Sequence, residues 1–297
     1  MTDIQYKGAF DGVFDKVAGE YDTEGVVFFK PLALRLIEHL GVRPGARVLD
    51  IGCGRGAVTF PLAEAVGPDG TVFAIDLSAA MVDAMTAAVE ASGLGNVEVR
   101  RMDGVDPAFA PGEFDAITGS MSIVMIPDLP TAFGNYAQLL KPGGTLAFTA
   151  PDTRNQTGAW KTGPVDIGRL AAEIPAEVLA SHPMLARLVE GDLLDLSAVA
   201  DLLAQTGFTD VVEHREEVRV VADSAEGLVR WTQQHGMRAV WDAVPEHRRA
   251  AVEQELVADA RAEADRDGRI TFGFPVAYFL ARAPRTDACG CPFAAMG

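Results

Sequence analysis

The chain has 297 residues, 48% of them hydrophobic, which is enough for one large domain with sizeable inserts around a fully buried core. A net charge of −17, from 42 acidic against 25 basic side chains, makes a surface that repels phosphate backbones and anionic lipid, so neither nucleic acid nor membrane is expected among its partners. Three cysteines exclude a disulfide scaffold, no apolar run reaches the roughly 18 residues of a membrane span, and no signal pattern opens the chain, so a cytoplasmic protein is expected.

In chain order, residues 1–45 read as a helical cover. Phe10, Phe14, Val17 and Tyr21 recur at three- or four-residue spacing and would share a helix face, and Pro31 to Leu40 forms a second helix stopped by Gly41 and Pro44. From residue 46 the pattern alternates. Strands are expected at 46–51, 71–75, 96–100, 114–118 and 144–149, and helices at 58–66, 78–92 and 130–140. The turns Gly67-Pro68-Asp69-Gly70, Gly93-Leu94-Gly95-Asn96 and Lys141-Pro142-Gly143-Gly144 separate them. This alternation predicts an α/β fold with a mostly parallel sheet over 46–150, whose ligands sit beyond the C-terminal strand ends. The stretch 151–196 shows no clear strand and reads as an inserted lid. The core continues over 197–223 with a helix and a strand, 224–268 reads as a lid of two helices, and 269–285 supplies the last core strand. Residues 286–297 read as a disordered tail. Its Cys289 and Cys291 are too few to complete a tetrahedral metal site, and no metal is expected.

The segment Asp50-Ile51-Gly52-Cys53-Gly54-Arg55-Gly56-Ala57-Val58 turns a buried strand sharply into a helix. Glycines let a ligand lie against the backbone, and the helix N-terminus offers unpaired N–H groups. Asp50 suits the charged amino-acid end of S-adenosylmethionine (SAM) better than a pyrophosphate. Asp76, after the second strand, can accept from both ribose hydroxyls of an adenosine, with Leu77 beside it; it can equally cap the helix that follows. Asp103, after the third strand, is positioned to accept from an adenine amine, and Gly104 lets the backbone approach the ring.

These residues resemble the class I SAM-dependent methyltransferases, well over 46–150 and more weakly to the last strand. The resemblance implies a Rossmann-like sheet with an antiparallel last strand (Val276 to Arg282) and SAM as cofactor. It implies contacts from Gly52, Gly54, Gly56, Asp50, Asp76, Asp103 and Ser120. Within that family the chain is most similar to small-molecule enzymes of the quinone-biosynthesis branch, whose N-terminal helix, here Phe14 to Asp22, covers the cofactor, so that Tyr21 would touch it. A dinucleotide-dependent oxidoreductase is the rival, because Gly52-x-Gly54-x-x-Ala57 also satisfies the dinucleotide pattern. An acid at position 50 would repel a pyrophosphate, and Asp103 has no role there. A catalytically inactive SAM-binding partner protein is a further alternative.

Methyl transfer mainly needs alignment, and a general base helps only where the nucleophile must lose a proton. His235 is the leading base candidate, followed by Glu173 and His182. Trp160, Trp231, Trp241, Phe272, Phe274 and Tyr278 are candidate walls of the acceptor pocket. Trp231, Gln234, His235 and Arg238 share one helix face by spacing. Met121 and Met125 read as packing residues, and His39, His214 and His247 as ordinary surface positions. The acceptor is expected to be a small molecule methylated on oxygen or carbon, such as a secondary or quinone-like metabolite. A homodimer is the oligomer considered.

Overall fold

The computed structural model describes residues 12–22, 25–154, 161–190 and 194–285. Phe10, Trp160, Cys289 and Cys291 lie outside the described residues. The elements run α1 (Val13–Val17), β1 (Val26–Val27), α2 (Phe29–Leu40), β2 (Arg47–Ile51), α3 (Thr59–Val66), β3 (Thr71–Asp76), α4 (Ala79–Ser92), β4 (Val97–Arg101) and β5 (Phe114–Ser120). A short 3-10 turn at Ile123–Met125 leads to α5 (Leu129–Leu139) and β6 (Leu140–Pro151). Then come β7 (Lys161–Thr162), β8 (Val165–Asp166), α6 (Ile167–Glu173), α7 (Ala176–Ser181), α8 (Pro183–Glu190), α9 (Val199–Gln205) and β9 (Thr209–Ala222). The chain closes with α10 (Ala225–Thr232), α11 (Arg238–Ala243), α12 (Glu246–Ala262) and β10 (Ile270–Arg282).

Two compact units divide these elements. The first takes the residues up to Pro31, Pro151–Leu194 and Glu217–Val276; the second takes Leu32–Ala150, Asp195–Glu216 and the residues from Ala277 on. Among the described residues one eight-stranded sheet has the order β1-β9-β10-β6-β5-β2-β3-β4. Strands β4, β3, β2, β5 and β6 pair in parallel. The last strand is antiparallel to β6: Ala283 N–H donates to Gly144 O at one end, and Asp152 N–H to Pro275 O at the other.

The second unit is built on the strands that the alternating pattern predicts. Val48, Leu49, Val72, Ala74, Ile75 and Ile117 are fully buried, as befits a parallel sheet covered on both faces. The chain steps outward from β2 to β3 to β4, then returns to place β5 on the other side of β2. That reversal is the switch point at which such sheets bind ligands.

The first unit is mainly helical. Leu228 of α10, Val240 of α11, Leu256 of α12 and Leu170 of α6 are fully buried. Arg248 of α12 grips Glu173 of α6 through two bonds of 2.8 Å, and Lys16 of α1 reaches Asp242 of α11 at 2.9 Å.

Three expectations are corrected. The stretch read as lacking strands holds the hairpin β7–β8, too short for its periodicity to register. Val26–Val27, read within a helical region, is a strand because Val221 and Ala222 supply its pairing partners from far along the chain. The segment 224–268 forms three helices where two were expected. The turn at 233–237 ends one helix and separates it from the next, and Pro245 (with no N–H to donate and a fixed φ) opens the third.

Candidate functional site

The glycine turn after β2 is pinned from β3. Gly52 and Cys53 both donate N–H bonds to Ile75 O, at 2.8 and 2.9 Å. Asp76, at the end of β3, accepts from Gly54 N–H on Oδ2 at 2.9 Å and from Ser78 N–H on Oδ1 at 3.0 Å. It therefore caps the loop and the following helix at once. Glycine is required at two positions by geometry. Gly52 (φ +68°) would put a Cβ 2.5 Å from Ser122 Cβ, and Gly56 (φ +88°) would put one 2.6 Å from the Phe60 ring and 2.8 Å from Met85 Sδ.

Asp50 is 1% exposed, and its Oδ2 accepts from the Thr59 hydroxyl at 2.6 Å. Burial pushes its carboxyl up to about 7; the Thr59 bond pulls the other way, and the nearby charge of Asp76 adds to the rise. Among the described residues no cation contributes to that balance. A buried acid held near neutrality is suited to receive a ligand ammonium. Thr118, in register with Asp50 on β5, is fully buried, and its hydroxyl has no partner among the described residues.

Asp103 accepts from Val105 N–H at 2.9 Å, the turn geometry that an aspartate at a strand end favours. Gly104 folds back onto β2: a Cβ there would lie 3.0 Å from Ile51 Cγ2, and its carbonyl accepts from the Tyr136 hydroxyl at 2.5 Å. Leu77 O accepts from Arg101 Nε at 3.0 Å. Ser120 Oγ is 3.2 Å from Thr149 Oγ1, which also accepts from Met121 N–H at 2.9 Å. Met121 takes φ +55°, a left-handed conformation rarely held by a bulky residue. Ser122 Oγ donates to Ile51 O at 2.5 Å, stitching the post-β5 loop to the glycine turn. The structure thus gathers Asp50, Gly52, Gly54, Gly56, Asp76, Leu77, Asp103, Gly104 and Ser120 in one unit, at the C-terminal ends of adjacent strands. Sequence reasoning missed Thr59 and Ser122, whose partners are set only by the fold. Tyr21 belongs to the other unit, stacked on Phe29 at 5.1 Å.

A methyltransferase-domain family profile matches residues 48–144. Nocamycin O-methyltransferase of Saccharothrix syringae is 47% identical over 272 residues, covering 91% of this chain and 97% of that protein. The chain belongs to the class I SAM-dependent methyltransferases. A second relative of this methyltransferase, aklanonic acid methyltransferase DauC of Streptomyces sp. (strain C5), is 41% identical over 53% of this chain and 71% of its own. The fold likeness extends to a SAM-dependent methyltransferase from Aquifex aeolicus, with a TM-score of 0.53 at 17% identity over 91% of this chain and 98% of that one. The dinucleotide reading falls away with the family. SAM is the methyltransferase's cofactor, and the buried Asp50, the carboxylate of Asp76 at the strand end and the glycines of the turn fit it.

In the first unit the structure joins some of the expected acceptor residues and separates others. Trp231 and His235 lie with ring centroids 4.2 Å apart, and Phe28 packs on both Trp231 (4.9 Å) and Phe274 (4.8 Å). Phe28 and Phe29 were not foreseen, because they sit in a segment read only as helix. Gln234, His235 and Arg238 are not on the helix that carries Trp231, since α10 ends at Thr232; Gln234 and His235 lie in the following turn, and Arg238 opens α11 and pairs with Asp242 at 2.7 Å. Trp241 is core, its indole N–H donating to Thr232 Oγ1 at 3.0 Å. Phe272 lies over Gly163. Tyr278 is buried in the second unit beside His39, at 5.2 Å.

The three base candidates are each unsuited. His235 is desolvated, which drives its pKa down to about 3, and its Nδ1 lone pair accepts from Met237 N–H at 3.3 Å. Glu173 is clamped by Arg248, which holds its carboxyl below the usual range. His182 is exposed and bonded to Ser181 Oγ at 2.9 Å. Nor is His39 an ordinary surface position: it sits 2.8 Å from Glu216 and stacks on His214 at 4.1 Å.

Proposed function

We propose that this methyltransferase moves a methyl group from SAM to an oxygen of a small, largely apolar acceptor, a secondary metabolite carrying an acidic oxygen. The observation that carries this reading is the 47% identity, along 91% of the chain, with an enzyme named for O-methylation. The aklanonic acid relative supports it, since its named substrate is an acid.

When bound, SAM supplies an electrophilic methyl on a sulfonium. In this reading Asp50 receives its ammonium, Asp76 its ribose hydroxyls and Asp103 its adenine amine. Gly52, Gly54 and Gly56 let it approach the backbone, Gly104 and Leu77 flank its base and ribose, and Ser120 completes the contacts. The protein's own contribution to rate is alignment and exclusion of water. An acceptor already ionised at neutral pH needs no base, which agrees with the poor standing of His235, Glu173 and His182 in that role. The acidic surface, at net −17, supports an enzyme of the cytoplasm without a nucleic-acid partner, and a homodimer is part of the reading.

The test is transfer of labelled methyl from SAM to a panel of phenols, enols and carboxylic acids on planar polycyclic skeletons, with the product position read by NMR. Methoxy products support the reading; methyl found on carbon or nitrogen sinks it.

A further inference from the structure

Two buried hydrogen-bond donors in the first unit have no acceptor among the described residues: Trp231 Nε1 and His235 Nε2. Unsatisfied buried donors are uncommon in folded proteins, and two on touching rings, 4.2 Å between centroids, call for a physical reason. The tautomer of His235 follows from its other nitrogen. Nδ1 accepts from Met237 N–H, so its lone pair is engaged and the ring proton sits on Nε2. Burial keeps the ring neutral, at about 3, so Nε2 stays a donor across the physiological range. Indole nitrogen can only donate. Whatever satisfies this pair must therefore bring hydrogen-bond acceptors, since neither nitrogen can accept.

The surroundings add shape. Phe28 and Phe29 approach Trp231 at 4.9 and 6.2 Å, and Phe29 meets the His235 ring edge-on at 6.2 Å. Phe274 meets Phe28 edge-on at 4.8 Å. Aromatic walls of this kind favour flat apolar ligands. In so dry a setting a charge-assisted bond is stronger than a neutral one.

We propose that Trp231 and His235 form a paired N–H clamp for a delocalised oxygen anion, a carboxylate or the enolate of a 1,3-dicarbonyl, borne on a planar apolar acceptor. The inference rests on the methyl-transfer reading above and deepens it by naming the acceptor class. One oxygen of the delocalised group accepts from the clamp. The conjugated oxygen takes the methyl as the carbon–sulfur electron pair departs with sulfur, so a methyl ester or enol ether forms and no proton has to move. His235 is then a substrate-binding donor and not a base, and the clamp holds the acceptor in its ionised form.

The experiment uses the full chain saturated with S-adenosylhomocysteine and labelled with nitrogen-15. The probes are acetate, benzoate and 1-hydroxy-2-naphthoate, with 2-methylnaphthalene as the oxygen-free control. The Trp231 indole N–H, assigned by its loss in Trp231→Phe, and His235 Nε2 are followed during titration. The expected result is a saturable downfield shift of both nuclei with the carboxylates, strongest for the naphthoate, and none with the hydrocarbon. His235→Phe should weaken naphthoate binding about tenfold or more, whereas His235→Gln, which keeps an N–H donor, should stay within about threefold of the parent. The proposal is overturned if no carboxylate moves either nucleus, or if His235→Phe binds the naphthoate as tightly as the parent. Failure of S-adenosylhomocysteine itself to bind, seen by calorimetry beforehand, would instead remove the methyl-transfer reading and this one with it.

Discussion

At the scale of single residues, Asp50 decides most. Its folded carboxyl lies near 7, above the ordinary 3.8, because it is buried with no cation among the described residues to offset that burial. A ligand ammonium favours the ionised form, so binding SAM expels a proton wherever the free protein still holds one. The dissociation constant of SAM should therefore rise as pH falls below about 7, approaching about tenfold per pH unit, with proton release detected by calorimetry in buffers of different ionisation enthalpy. A pH-independent affinity between 5.5 and 7.5 would remove Asp50 from the ammonium site. Gly56→Ala tests the turn. With φ at +88° and the Phe60 ring 2.6 Å from the new Cβ, the variant should lose about 1–3 kcal/mol of stability and most of its affinity for S-adenosylhomocysteine. Parent-like melting together with parent-like binding would show that the turn tolerates a side chain. Asp50, Asp76 and the glycines were legible in the sequence because strand-turn-helix chemistry is local. The Thr59 bond to Asp50 was not: a hydroxyl at a helix start reads as a cap until the fold turns it inward.

At the scale of elements, ion pairs tie secondary structures together. Glu216 of β9 takes Arg35 of α2 at 2.6 and 2.8 Å and His39 at 2.8 Å, and the Arg35 bonds do most to bring its pKa from 4.5 to about 2. A depressed carboxyl stabilises the fold above its unfolded value and loses that contribution as pH falls from 4.5 towards 2. Glu216→Gln should accordingly shift the acid-unfolding midpoint, followed by circular dichroism, to higher pH, and an unmoved midpoint would show the cluster to be incidental. Glu173 joins α6 to α12 through Arg248, so Glu173→Gln should leave kcat within about twofold; a loss of a hundredfold or more would restore it as a base. Helix α12 is anchored by Leu256, fully buried, and Leu256→Ala should cost about 2–5 kcal/mol in urea unfolding. Periodicity found α12 but merged α10 and α11, since a break of a few residues is decided by packing more than by pattern.

At the scale of the whole molecule, the residues proposed for the cofactor, from Asp50 to Ser120, belong to one unit and the N–H pair of Trp231 and His235 to the other. S-adenosylhomocysteine should slow amide exchange at residues 52–58, 76–79 and 103–105 and, at a hundred times its dissociation constant, add about 2.7 kcal/mol to stability. Protection confined to other segments would contradict the site. The sequence by itself determined the parallel sheet, the glycine turn and the acids at successive strand ends. Those signals repeat over a few residues, and backbone geometry enforces them. Only the tertiary structure decided that Ser122 closes on the turn, that His235 is a neutral donor and that Glu173 is occupied. Burial and hydrogen-bond partners come from residues far apart along the chain, and they set whether a titratable side chain is reactive, structural or waiting for a ligand.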